Sequence, residues 1–448
     1  MDLAKKKVLL LGLGRSGVAA ARLCLAQGAV VTASDASPLE SWSKDARALE
    51  AEGARLAPGG HPVSLFKGQD LVVISPGVPS FAALEAYEEH GGVVIGEMEL
   101  ASRFFPTTPI VLVGGTNGKS TTTALVHAML EAAGKKAFIG GNFGQPLAEV
   151  VGQSFDVIVL EISSFQAERV PTLHAAVHVL LNITDDHLDR YPSFQAYADA
   201  KGNPFVLMGA ADTAVVPLGD ARCLEQAKRG HAKIVTFSEV DAAATVAADG
   251  DAIVDHLRGA SFPLSLLRIK GAHNVANACA AIAAASAVGA SGEGIAHALR
   301  TFAGLGHRTV LVGEIDGVRY YDDSKGTNVG ASVAALRGLQ EPKAVLIAGG
   351  RDKLGAYEPL VDALRDKGRA LVLIGEAADR IAEAASGALP VKRAASMQEA
   401  VDLARSFAKP GDAVLLSPAC SSFDMFRDYK ERGEVFARAV EDMLRVSA

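Results

Sequence analysis

The sequence predicts an α/β protein of about three domains, and three observations carry that expectation. A chain of 448 residues exceeds what one hydrophobic core usually organises, at roughly 100–200 residues per domain. A short apolar run ending in glycine or Ser-Pro, followed by a helical pattern, recurs along the chain, as parallel strands with crossover helices require. A composition of 49% hydrophobic and 21% charged residues with 45 glycines excludes disordered, collagen-like and coiled-coil classes.

In the first region, strands are expected at 8–11, 30–33 and 71–74. Pro106, Thr107, Thr108 and Pro109 then cluster, which puts a boundary at 104. A second region carries strands at 110–113, 157–160 and 177–181 and a long helix after Asn274. It ends at Gly304-Leu305-Gly306-His307-Arg308, whose two glycines read as a hinge. The third has strands at 344–347, 370–374 and 413–416. The expected domains are 1–104, 105–306 and 307–448, with ligands at the carboxyl ends of the strands.

A net charge of −7 argues against sequence-independent nucleic-acid or anionic-membrane binding, so no nucleic-acid partner is expected and any phosphate must be held by local geometry. The alanine-rich stretch 275–290 carries Asn277 and Ser286 and is too short to span a membrane. Lys5, Lys6 and Lys7 before an apolar run imitate a leader, but Gly12, Gly14 and Arg15 interrupt it and a buried strand is the better reading. Cys24, Cys223, Cys279 and Cys420 lie far apart and read as reduced core residues of a cytoplasmic protein.

Gly114-Gly115-Thr116-Asn117-Gly118-Lys119-Ser120-Thr121 stands between a strand and an amphipathic helix, the setting of a phosphate loop. Its backbone N–H groups can surround a polyphosphate, Lys119 adds charge at the β/γ-phosphates, and the Ser120 hydroxyl can reach Mg²⁺. Position 113 is Val, so the first glycine comes one residue later than the general pattern asks. Gly12-Leu13-Gly14-Arg15-Ser16-Gly17, with Asp35 ending the next strand, matches a dinucleotide fingerprint; NAD, FAD and UDP-sugars all fit, as does mere tight packing. Glu161 ends an apolar strand where a carboxylate can approach the nucleotide as a Mg²⁺ ligand, or else be solvated. His187, among acids, reads as a capping histidine or a ligand. Lys201, in the last turn of a helix from about Ser193, reads as a cation complementing the helix dipole. Strand ends at 322–328, 349–353 and 417–422 offer hydroxyls, amides and cations suited to a small anion.

Together GTNGKST, LEISSFQ, NITDDHLDRY, KGAHNVANACAA, GLGHR, DDSKGTN and SPACSSFDMFRDYKERG resemble the Mur ligase family over essentially the whole chain. Within it they are similar to the branch that adds D-glutamate to UDP-N-acetylmuramoyl-L-alanine; the Asp-Asn-Pro-Arg motif of the diaminopimelate-adding branch is absent. The resemblance implies a Rossmann-like N-terminal domain, a central ATPase-type α/β domain with the phosphate loop, a Rossmann-like C-terminal domain, and ATP-dependent amide ligation by a monomer. It gives Ser120 and Glu161 one Mg²⁺, His187 a second, and makes Lys201 a carbamate. It assigns ATP contacts to Gly115 through Thr121, Asn274, Asn277, Arg308 and Asp323, with Lys325 near the reacting centre. The UDP-substrate falls to Gly14, Arg15, Ser16, Asp35 and Ala36, then to Ser75, Pro76, Gly77, Asn142, Ser163 and His187. D-glutamate falls to Thr327, Lys353, Ser422 and Tyr429, while Arg351 and Asp352 receive no role. A dehydrogenase would use only the first glycine cluster, and a folylpolyglutamate synthetase would need no UDP site.

Overall fold

The computed structural model describes residues 1–187, 190–353 and 355–447, so Leu188 and Asp189 of the NITDDHLDRY stretch lie outside the described residues. They form two compact units, one of Met1–Ile183, Gln195–Leu266 and Asn277–Arg300, the other of Thr184–Phe194, Leu267–Ala276 and the chain from Thr301 onward. The α/β class holds: two sheets belong to the first unit and one to the second.

The first sheet comprises β1 (Lys7–Leu11), β2 (Val30–Asp35), β3 (Arg55–Pro58), β4 (Leu71–Ile74) and β5 (Val94–Gly96), in the order β3-β2-β1-β4-β5. All four pairings are parallel. Chain order reverses between β1 and β4, and Leu11 is in register with both Ser34 and Ile74. Gly12, Asp35 and Ser75 therefore emerge at one sheet edge, at the switch point where a doubly wound sheet leaves a crevice.

The second sheet runs β14-β13-β12-β11-β10-β9-β6-β8-β7. Its members are β6 (Ile110–Gly114), β7 (Ala137–Gly141), β8 (Val157–Glu161), β9 (Val177–Leu180), β10 (Thr213–Pro217), β11 (Lys233–Ser238), β12 (Val246–Asp249), β13 (Ala252–Asp255) and β14 (Ala260–Pro263). Central β6 pairs with β8 and β9, with Val113 opposite Glu161 and Gly114 opposite Leu180. The glycine-rich loop, Glu161 and Asn182 thus share one edge.

The third sheet contains β15 (Val310–Ile315), β16 (Val318–Asp322), β17 (Ala344–Gly349), β18 (Gly368–Ile374), β19 (Val391–Arg393) and β20 (Ala413–Leu416), ordered β15-β16-β20-β17-β18-β19. Its central strands are continuously apolar because helices cover both faces. Leu346, Leu371, Leu373 and Leu415 join the core with helices Val329–Gly338, Glu358–Lys367 and Ala378–Ala384. Their neighbours Val345, Ile347, Val372 and Leu416 pack with Val401, Phe436 and Val440 of helices Met397–Phe407 and Tyr429–Ser447. Leu416 lies opposite both Asp322 and Ile347, so the loops after β16, β17 and β20 open on one edge.

The parallel pattern expected from the sequence needs correction in two places. β13 and β14 extend the second sheet antiparallel, and β15 pairs antiparallel with β16. The long helix starts at Ala272 rather than after Asn274, which puts Asn274 and Asn277 inside its first two turns.

Candidate functional site

The loop after β6 is built by close approach. Gly115 and Gly118 have φ of +132° and +86°, and a Cβ on Gly118 would overlap Asn277 Oδ1. Helix Lys119–Ala132 starts at the next residue, so its N-terminal N–H groups face the loop's concave side. Asn182, just after β9, fixes the loop from beneath. Its carbonyl accepts from Thr116 N at 2.9 Å, its Oδ1 from Asn117 N at 2.8 Å, and its Nδ2 donates to Asn117 O at 3.1 Å. Lys119 Nζ donates to Gly115 O at 3.0 Å and Thr116 O at 2.7 Å, folding the ammonium against the turn.

Lys201 is 5% exposed, which a solvated helix-end cation would not be. Its Nζ donates to Gly115 O at 2.7 Å and lies 4.6 Å from the centre of the Tyr197 ring. Tyr197 OH meets Thr116 Oγ1 at 2.9 Å. The helix Phe194–Gly202 therefore delivers its last-turn lysine to the phosphate loop. Glu161 is 3% exposed; Oε1 accepts from Asn142 Nδ2 at 2.6 Å, whereas Oε2 is buried with no hydrogen-bond partner. A carboxylate oxygen left so, in register with the loop and near a buried Ser120 hydroxyl's helix, is the donor a hard cation takes. The residues fit Mg²⁺ on that observation. Among the described residues no three His, Cys, Asp or Glu side chains gather around a common point.

At the first sheet, a Cβ on Gly12 would run into Val78 and one on Gly17 would overlap Gly12 O, so packing explains two of the three glycines. Gly14 faces open space. Asp35 turns inward: Oδ2 accepts from Leu13 N at 2.8 Å, and Oδ1 from Ser37 N at 2.9 Å and Ser37 Oγ at 2.7 Å. Burial pushes its carboxyl up, but these bonds outweigh burial and leave it below the usual carboxylate range. Ser75 Oγ donates to Gly12 O at 2.9 Å, with Pro76 and Gly77 following it. Arg15 Nη1 donates to Gly144 O at 3.0 Å and pairs with Glu149 at 3.4 Å, while Ala36 is exposed. Ser163 forms a capping box with Gln166, so its hydroxyl is already used. His61, absent from the sequence expectations, meets Ser34 Oγ at 2.8 Å and stacks on Phe81 at 5.3 Å; only its position past β3 in a Gly-Gly-His turn could have flagged it.

His187 belongs to the second unit, with Asp186. It adopts φ +54°, and its Nε2 lies 3.6 Å from Asp186 Oδ2. Asp186 Oδ1 pairs with Lys353 Nζ at 3.1 Å and Oδ2 accepts from Asn328 Nδ2 at 3.2 Å. That joins the NITDD segment to the turns bearing Thr327 and Lys353. Asp323 is buried, accepting from Ser417 Oγ at 2.6 Å and Thr309 N at 3.1 Å. Burial lifts its carboxyl to about 7 against the opposing effects of Ser417, Arg308 and Thr309. Lys325 Nζ sits 4.0 Å from the Tyr429 ring centre, Ser422 is buried, and Asn274 Nδ2 donates to Lys270 O at 2.8 Å. Asp352 engages Arg380 and accepts from Tyr357 OH at 2.9 Å; Arg351 is exposed and bridges Ser421 through its backbone. Asn182, Tyr197, Asp186 and Asn328 were missed individually, although each lies in or beside a motif already conspicuous in the sequence.

Residues 113–285 match the family model described as Mur ligase middle domain, and 307–420 match Mur ligase, glutamate ligase domain. The chain is 42% identical over 446 residues, 98% of each chain, to the UDP-N-acetylmuramoylalanine--D-glutamate ligase of Geobacter metallireducens. It is 44% identical over 443 residues, 97% of each, to the ligase of the same name from Syntrophotalea carbinolica. Among solved structures it is similar in fold to UDP-N-acetylmuramate-alanine ligase MurC from Thermotoga maritima, with TM-score 0.62 and 17% identity over 98% of this chain and 99% of that one. Folylpolyglutamate synthase from Mycobacterium tuberculosis, complexed with ADP, gives TM-score 0.60 and 15% identity over 77% of this chain and 92% of that one.

Proposed function

This chain belongs to the Mur ligase family, and from that premise we propose that it joins D-glutamate to UDP-N-acetylmuramoyl-L-alanine, converting ATP to ADP and phosphate. The relatives that match nearly its whole length are ligases by name, which removes the dehydrogenase reading of the first glycine cluster. The observation that carries the reaction class is the phosphate loop with the unpartnered Glu161 Oε2 at its edge.

An amine does not displace oxide from a carboxylate, so the carboxylate must first be phosphorylated. In the proposed sequence a carboxylate oxygen of the UDP-substrate attacks the γ-phosphorus and ADP departs. The amine of D-glutamate then attacks the acyl carbon, loses a proton, and the tetrahedral intermediate expels phosphate, leaving the amide. The N–H groups of 115–121 hold the phosphates, and Lys119 swings from its loop carbonyls onto them. Ser120, Glu161 and Lys201, the last as a carbamate, would hold Mg²⁺, with His187 at a second ion. Bound there, Mg²⁺ neutralises charge developing on the phosphoryl oxygens. Burial of Lys201 against the loop supports its carbamylation, since a fixed ammonium would compete with a metal for the same phosphate oxygens.

For the nucleotide sugar, Gly14, Arg15, Ser16, Ser75, Pro76 and Gly77 line the open switch point, and Asp35 shapes the turn through Leu13 and Ser37 before Ala36 reaches the uracil. Asn142 acts by orienting Glu161, and Ser163 supports the strand end beside it. Asn274, Asn277, Arg308 and Asp323 would receive the nucleotide, Lys325 the reacting centre, and Thr327, Lys353, Ser422 and Tyr429 the D-glutamate carboxylates. The reading includes a monomer, and a cytoplasmic setting that the four buried free cysteines support. Oxygen-18 in the substrate carboxylate tests the chemistry: each phosphate released should carry one labelled oxygen, and unlabelled phosphate would sink the acyl-phosphate route.

A further inference from the structure

The largest fully buried side chain of the described residues is a cation. Arg432, in helix Tyr429–Ser447, has 0% exposure. Its Nε donates to Ser324 Oγ at 3.0 Å, Nη2 to Ser324 O at 2.8 Å, and Nη1 to Cys420 O at 3.2 Å. A Cβ on Gly350 would come within 3.2 Å of Nη1. One guanidinium therefore lies under all three loops at the carboxyl edge of the third sheet: those after β16, β17 and β20. Ser324 Oγ returns a hydrogen bond to Tyr429 O at 2.7 Å, tying the helix start into the same knot.

Among the described residues no carboxylate forms an ion pair with Arg432. The nearby acids are held elsewhere: Asp322 by His307 Nδ1 at 2.6 Å and Ser324 N at 2.8 Å, Asp323 by Ser417, and Asp424 by Glu376 N at 2.9 Å. Burying a guanidinium against neutral oxygens alone is costly, and an apolar side chain of similar volume would serve packing as well or better. What only a guanidinium offers is a planar fork of five donors that can bind several loops at fixed spacing while its charge faces them from below.

We propose that Arg432 is a positioning residue for the amino-acid pocket, holding the loops that carry Thr327, Lys353 and Ser422 in mutual register without touching the substrate. The inference rests on the D-glutamate reading above. Steady-state kinetics on the full chain test it. Arg432→Ala should raise the D-glutamate KM by about tenfold or more, as for loss of a charge-assisted hydrogen-bond set, while the KM for the UDP-substrate stays within about threefold. Guanidinium chloride, well below denaturing concentration, should restore much of the loss; Arg432→Lys, which keeps charge but not the fork, should stay impaired. Should Arg432→Ala fail to fold, Ser324→Ala removes one acceptor and should raise the same KM by about threefold. An unchanged D-glutamate KM in a folded Arg432→Ala, or in Ser324→Ala, overturns the proposal, as does an equal rise for every substrate with no guanidinium rescue. If the unsubstituted enzyme does not turn over D-glutamate, the reaction assignment itself falls, and this inference with it.

Discussion

Glu161→Gln should make the protein more stable and nearly inactive. Glu161 Oε2 is buried with no partner while Oε1 accepts from Asn142, so the carboxylate carries one oxygen whose hydration is lost and not replaced. An unsatisfied buried group costs about 1–3 kcal/mol, more when charged. Gln keeps the acceptor for Asn142 and exchanges the orphaned oxygen for a neutral amide, itself imperfectly bonded, so the net gain should be about 1–2 kcal/mol. That corresponds to a rise of about 3 °C or more in the melting of the first unit, followed by calorimetry in a chelator without nucleotide. Magnesium with nucleotide at a hundred times its Kd should stabilise the unsubstituted protein by about 2.7 kcal/mol more, and the variant far less. Turnover should fall by about a hundredfold or more. A variant that melts lower than the parent, yet gains the same stabilisation from magnesium nucleotide, would show that Glu161 is neither a buried burden on the fold nor a metal ligand.

Lys119→Ala should abolish phosphate release while leaving calorimetric binding of the UDP-substrate nearly unchanged, because the function proposed above puts that ligand on the first sheet and Lys119 in the loop of the second; near-normal release would remove Lys119 from the chemistry. Lys201→Arg keeps a cation but cannot carry CO₂, so it should be folded and inactive, whereas acetate should partly restore Lys201→Ala; a fully active Arg variant would return Lys201 to a helix-end role. Glu97 is buried against Ala148 N, and burial raises its carboxyl from 4.5 to about 7. Its folded pKa exceeds the unfolded one, so the stability it contributes is complete below about 4.5 and lost as pH rises through 7. Glu97→Gln should therefore match the parent at pH 4.5 and exceed it at pH 8 by at most about 3 kcal/mol in urea unfolding; a gap that widens toward acid would contradict the sign.

The parallel core was legible because a strand covered on both faces reads as an unbroken apolar run, as 110–113 and 413–416 do. The antiparallel additions were missed although their turns were in plain view. Asp316 and Gly317 both take positive φ, 50° and 74°, in a two-residue turn joining β15 to β16, the Asp-Gly signal of a hairpin. Gly250, at φ 55°, plays the same part between β12 and β13. At the sites, a carboxylate at a strand end pointed to Glu161, while Lys201 read by itself as a helix-end cation and gained a role only from the family resemblance; that Asp35, Ser75 and Ser163 spend hydrogen bonds on the protein itself shows only in three dimensions. Arg432 could not be found from sequence, since an arginine in the Glu-Arg-Gly run of a charged helix looks solvated until the helix's inner face is known.

Amide formation between two particular substrates is decided by which amino acid supports turnover. Phosphate release should be measured with ATP, magnesium and UDP-N-acetylmuramoyl-L-alanine against D-glutamate, L-glutamate, L-alanine and diaminopimelate, with the product identified by mass. Release is expected only with D-glutamate, one phosphate for each new amide. Equal turnover with another amino acid, or phosphate released without an amide, would contradict it.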